Sequence, residues 1–125
     1  MSIDIYLATA EGLHVYDPIA HRLVPHSSDD LRRSTGEQDF VGTAPLELVY
    51  VADLRRMGDS SLEVKMFLAA ADTGCITQNV SLFCASAGLG TVVRGWVDRP
   101  GLALAMGLRP EQRVILAQTV GYPRG

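Results

Sequence analysis

Lysine is nearly missing from this chain: Lys65 stands alone, and the other ten basic residues are arginines spread from Arg22 to Arg124 without gathering into a run. With a formal net charge of -3, the chain lacks the clustered positive charge that grips a phosphate backbone, so nucleic acid is not an expected partner. Such scatter reads as genome composition rather than as a phosphate site. Cysteine is also scarce. Cys75 and Cys84 are the two thiols, nine residues apart in what reads as one helix. Nine steps of about 100° put them on nearly opposite faces, so they cannot bridge within it. Nor do they have the paired spacing of structural zinc, and both read as small apolar core residues. His14, His21 and His26 lack the spacing and carboxylate company of a metal site, so no metal is expected. No Gly-x-Ser-x-Gly elbow occurs and neither cysteine opens a helix, which leaves no side chain identified as catalytic. The start Met1-Ser2-Ile3-Asp4-Ile5 has no basic segment followed by an apolar run, and the expected location is cytoplasmic.

At 125 residues and 47% hydrophobic, the chain can build one core, and residues 1–125 are expected to form a single domain. Ile3 to Ala8 and Leu13 to Tyr16 alternate as strands about the turn Thr9-Ala10-Glu11-Gly12, predicting a hairpin that stops at Asp17-Pro18. Ser27 to Thr35 reads as a short capped helix closed near Gly36. Leu46 to Ala52, after Pro45, is rich in β-branched and large apolar residues and predicts a strand buried on most of its surface.

Ser60 and Glu63 are spaced as a capping box, and apolar residues recur from there to Gly88, predicting one long helix over 61–87. It would run roughly 40 Å. Met66 to Ala71 is apolar all round, which in a water-soluble setting calls for cover on several sides. Asp72, Gln78 and Asn79 interrupt it too soon for a membrane span. So small a chain has few elements with which to surround such a helix, and a homodimer through it is expected. Thr91-Val92-Val93 then predicts a short strand, Asp98 caps a helix running to Gly107, Arg109 to Gln112 turn, and Val114 to Tyr122 predicts a central strand. The sum is an α+β class, a sheet with helices packed against it.

Gly88-Leu89-Gly90 invites comparison with a dinucleotide fingerprint, but that motif follows a strand and opens a helix, whereas these glycines follow a helix and open a strand. The simpler reading is a left-handed helix cap at Gly88 and a turn into the sheet at Gly90.

The string Gln78-Asn79-Val80 to Cys84-Ala85-Ser86-Ala87-Gly88-Leu89-Gly90-Thr91-Val92-Val93-Arg94-Gly95 resembles the nitroreductase family. So do Phe40-Val41, Ala44-Pro45-Leu46 leading into Leu48 to Asp53, and the closing Val120-Gly121-Tyr122-Pro123, with the SagB-like dehydrogenases as the nearest branch. The likeness runs roughly from Ile3 to Pro123. It implies a nitroreductase-like mixed sheet with a long central helix, shortened at the amino terminus, and an FMN enzyme that passes hydride from NADH or NADPH to a small electron-poor acceptor at a homodimer interface. Carried over residue by residue, it implies flavin contacts at Gly88, Leu89, Gly90, Thr91, Val92, Val93 and Arg94, with Arg124 as the basic residue toward the phosphate. The family's Arg-x-Ser-x-Arg clamp for the FMN phosphate has no counterpart in this sequence. Two readings therefore stay open. One is an FMN oxidoreductase completed by its dimer mate or by a second chain that supplies the missing segment. The other is a flavin-free interaction module or inactive remnant of the same fold. Gln38 reads as a solvated loop residue, and Arg94 as either a cation beside the flavin ring or half of a surface salt bridge.

Overall fold

The computed structural model describes residues 2–123, so Arg124 lies outside the described residues. Six strands form one sheet: β1 (Ile3–Thr9), β2 (Gly12–Asp17), β3 (Arg22–Ser27), β4 (Leu46–Asp53), β5 (Gly90–Arg94) and β6 (Gln112–Gly121), in the spatial order β3-β2-β1-β4-β6-β5. All five neighbouring pairs are antiparallel. The α+β class is as the sequence indicates, and what is mixed is helix with strand rather than strand direction. Among the described residues, no helix is long and apolar enough to cross a membrane.

The two hairpin strands fall where alternation puts them, but the next segment does not. Residues 22–27 form the edge strand β3, and the helix expected over 27–35 is only a 3-10 turn, Arg32–Thr35. Pro25 hides this strand from a reading of propensity. It is tolerated because β3 is terminal in the sheet, where a missing N–H costs no ladder bond on the outer side.

Two helices cover opposite faces. α2 (Arg99–Met106) is capped by Asp98, whose side chain accepts from the Gly101 N–H, and ends at Gly107 in the left-handed conformation. It buries Leu102 and Met106 against Tyr6, Val49, Val51 and Ala117. Fully burying side chains of this size stabilises by about 1.5–3 kcal/mol each. α1 (Leu62–Ala87) covers the other face, where Ala69 and Cys84 pack on Ile3, Leu48, Tyr50, Ala52 and Ile115. Its cap is Ser61, whose side chain accepts from the Val64 N–H, one residue later than the box predicted from Ser60.

Of the 26 residues in α1, only Ala69, Thr73, Thr77 and Cys84 are buried. The helix therefore rests on the sheet along one narrow stripe at four- and seven-residue spacing. The all-round apolar pattern leaves Leu62, Phe67, Leu82 and Phe83 exposed, Phe67 at 72%. Cys84 is buried as expected. Cys75 is exposed instead, because nine residues from Cys84 places it off the sheet-facing stripe.

Candidate functional site

At the β5 end of the sheet, on the α2 side, two chain segments face each other across a cleft of about 380 Å³. Phe40, in a 3-10 turn at Asp39–Gly42, and Thr43, Ala44 and Pro45 after it form one wall. Gly90, Thr91 and Val92 of β5 form the other, and Thr119 and Gly121 of β6 close it together with Tyr122 just beyond that strand. β5 is the terminal strand, so one side of its backbone has no strand partner and its N–H and C=O groups are available to a ligand.

The chain turns into β5 through Gly88, which is left-handed (φ 72°) and caps α1 through bonds to Ala85 and Cys84 carbonyls. A side chain at that φ would be strained, which is why glycine stands there. Leu89 packs beneath α1 rather than toward the cleft. Val93 pairs with Gln118 and is absent from the cleft lining. Of the positions the motif implicates, the cleft brings together Gly90, Thr91 and Val92.

Arg94 neither lines the cleft nor reaches the surface. Its side chain is 2% exposed and faces Glu47, itself fully buried, at 3.0 Å. Nε donates to Thr119 Oγ1 (2.8 Å), and Nη1 donates to the Thr35 carbonyl (2.7 Å). Thr119 in turn donates to Glu47, with Oε2 at 2.9 Å. Burial pushes the Glu47 carboxyl above its ordinary value, opposed by the Thr119 hydroxyl and then by Arg94. It pulls Arg94 below its ordinary value, opposed by Glu47. The expected surface salt bridge is thus a dry ion pair. Gly36 lets the loop approach it, because a Cβ there would collide with Arg94 Nη1.

A second buried polar hub lies on the opposite face of β6, one residue away. Gln118 accepts from the Tyr50 hydroxyl (2.6 Å) and donates from Nε2 to Ser81 Oγ (3.2 Å) and Thr91 Oγ1 (3.0 Å). Burial raises the Tyr50 phenol, which keeps it a neutral donor. Consecutive strand residues point to opposite faces, so Gln118 and Thr119 serve α1 and the cleft loop separately.

Sequence reasoning missed Glu47, Thr119 and Gln118. The available signal was polarity in the wrong place: a glutamate inside Leu46-Glu47-Leu48-Val49, and Gln118-Thr119 inside an apolar strand. Gln38 is exposed, its carbonyl accepting from Arg33, as a solvated loop residue. Among the described residues, no cluster of histidine, cysteine and carboxylate side chains could hold a metal ion.

The cleft suits part of a flavin. Phe40, Pro45, Val92 and Tyr122 offer apolar surface and the free edge of β5 offers backbone polar groups, but no arginine or lysine is among its lining residues. The lining therefore fits a ring and not a phosphate, whose dianion needs charge-assisted donors.

No curated protein matches the chain. Among solved structures, a putative nitroreductase from Ralstonia eutropha JMP134 is 46% identical over the whole chain with a TM-score of 0.93, and the chain spans 60% of its length. The E. coli microcin synthetase McbBCD complex (20% identity, TM-score 0.87) and the NADPH:FMN oxidoreductase from Vibrio harveyi complexed with NAD+ (22%, 0.74) share the fold. The chain is covered at 99% and 100% and spans 53% and 52% of those chains, respectively. The pattern of the Nitroreductase family matches residues 3–122, and with that match the chain belongs to the nitroreductase family.

Proposed function

We propose that the chain is the sheet-forming part of an FMN-dependent oxidoreductase of nitroreductase type, with the β5 cleft receiving the flavin ring. The observation that carries this reading is the coincidence of motif and cavity: Gly90, Thr91 and Val92 line one wall of an apolar slot at an unpaired strand edge. When bound, the flavin supplies the hydride chemistry, with NADH or NADPH as reductant. The chain's own part is to seat the ring, exclude water with Phe40 and Tyr122, and present β5 backbone groups to its polar edge. The phosphate falls to residues beyond this lining, with Arg124 as this chain's candidate. A dimer mate or second chain would supply the rest.

The exposed apolar face of α1 supports the companion proposal that the working unit is a cytoplasmic homodimer joined through this helix. Leu62, Phe67, Leu82 and Phe83 are each more than half exposed, and large apolar side chains left open in such number mark an interaction surface. Replacing both Phe67 and Phe83 by Glu should yield a folded monomer, since exposed positions tolerate change within about 0.5 kcal/mol. Sedimentation equilibrium checks this, and a variant with the wild-type mass would remove α1 from the interface.

For the flavin, absorbance spectra before and after adding FMN, with fluorescence quenching to give an affinity, should show stoichiometric binding. Tens of micromolar FMN left entirely free would favour the second reading, a flavin-free interaction module. The bareness of α1 is the observation that would then speak for it.

A further inference from the structure

We infer that the buried Arg94–Glu47 pair is the positioning device of the cleft, locking its two walls in register so that the β5 edge is preorganised for a ring. This rests on the reading of the cleft as a flavin site.

Four chain segments meet at the pair, and two of them lead to opposite walls. Arg94 ends β5, the wall carrying Gly90, Thr91 and Val92. Thr35 belongs to the 3-10 turn that leads into the other wall at Phe40 to Pro45. Arg94 holds it twice, Nη1 to the Thr35 carbonyl at 2.7 Å and Nη2 to Thr35 Oγ1 at 3.2 Å. Glu47 on β4 and Thr119 on β6 anchor the guanidinium from the floor. Arg94, Glu47 and Thr35 do not line the cleft, so they act through the backbone they hold.

Two physical arguments favour this role over plain stability. A buried ion pair is a poor source of stability, because desolvation cancels much of its attraction, whereas its directional bonds fix geometry. The guanidinium is also a rigid planar fork, so bonds from its several nitrogens determine the relative placement of the segments they reach. An edge strand held by ladder bonds on one side alone gains most from such a tie.

Glu47→Gln and Thr35→Val test this in the chain as it exists. Glutamine keeps the shape and discards the charge. Valine removes one hydroxyl while leaving the ion pair intact, which covers the case in which the glutamine variant fails to fold. Hydrogen exchange of the ligand-free protein should quicken about tenfold in residues 36–45 and 90–94 while β1 and β2 keep their wild-type rates. The FMN dissociation constant should rise about tenfold, with weaker quenching of the bound flavin. Exchange that is unchanged, or that quickens evenly along the chain, overturns the inference. So does locally faster exchange with wild-type FMN affinity. If the wild-type protein binds no FMN, the flavin reading fails, and the exchange pattern still decides whether the pair ties the walls.

Discussion

β4 carries a carboxylate near each end, and the two live in different worlds. Glu47 is sealed in the core with one guanidinium and one hydroxyl. Asp53, at the other end, has its carboxylate surrounded by Arg55, Arg56 and Arg109, whose side chains are 42–54% exposed. Burial alone would raise the Asp53 carboxyl, but the bonds from Arg55 and the charges of Arg55 and Arg56 bring it below its ordinary value. For Glu47 the balance falls the other way and burial wins. Charge count does not separate the two sites, since Asp53 has more arginines. Water does, because the exposed guanidiniums of the Asp53 cluster keep part of their hydration.

The sharpest way to break this comparison is to truncate the dry end. Glu47→Ala strands the Arg94 cation in the core and should cost about 3–5 kcal/mol, measured by urea denaturation. A cost below about 1 kcal/mol would mean that water reaches the pair.

At the wet end, Asp53→Asn should cost about 1–2 kcal/mol at neutral pH, and the cost should depend on pH in a definite sense. The native Asp53 pKa is lowered, so its stabilisation is fully present above the unfolded value near 4 and is lost as the pH falls through the native value. Unfolding curves of wild type and variant should therefore stand fully apart above about pH 4 and draw together as the pH falls below it. A constant gap would assign the effect to lost hydrogen bonds alone.

The smallest effect belongs to the rim. Arg56 also pairs with Asp4, and Asp4→Asn should change stability by about 0.2–1 kcal/mol, an amount that added salt diminishes. An effect that survives molar salt would show that this pair belongs with the dry end.

Much of the fold was legible because its signals are local. Gly88 closes α1 where expected and its cap falls one residue after the predicted box, Asp98 and Gly107 bracket α2, and the apolar runs of β4 and β6 read directly as interior strands. β3 was not legible, since Pro25 breaks its pattern and only the sheet's order reveals that an edge position excuses it. The cleft was legible by half. The β5 wall lies in a recognisable string, whereas the opposite wall depends on Thr35, Gly36 and Arg94 coming together across 59 residues of sequence. Exposure of Cys75 was hidden for a related reason: an apolar pattern on every side of α1 does not say which face meets the sheet.

The two terminal strands of the sheet also differ in what they permit next. β3 presents Pro25 within an exposed edge, which interrupts any row of free backbone donors and discourages a further strand from docking. β5 presents Thr91, Val92 and Val93, β-branched residues with no proline or lysine among them, and Val92 and Val93 are 46% and 40% exposed. Such a strand is a template for edge-to-edge aggregation whenever nothing covers it. The edge best suited to receive a ligand is thus also the one through which uncovered molecules would stick together, so whatever occupies the cleft would act as a solubility factor as well.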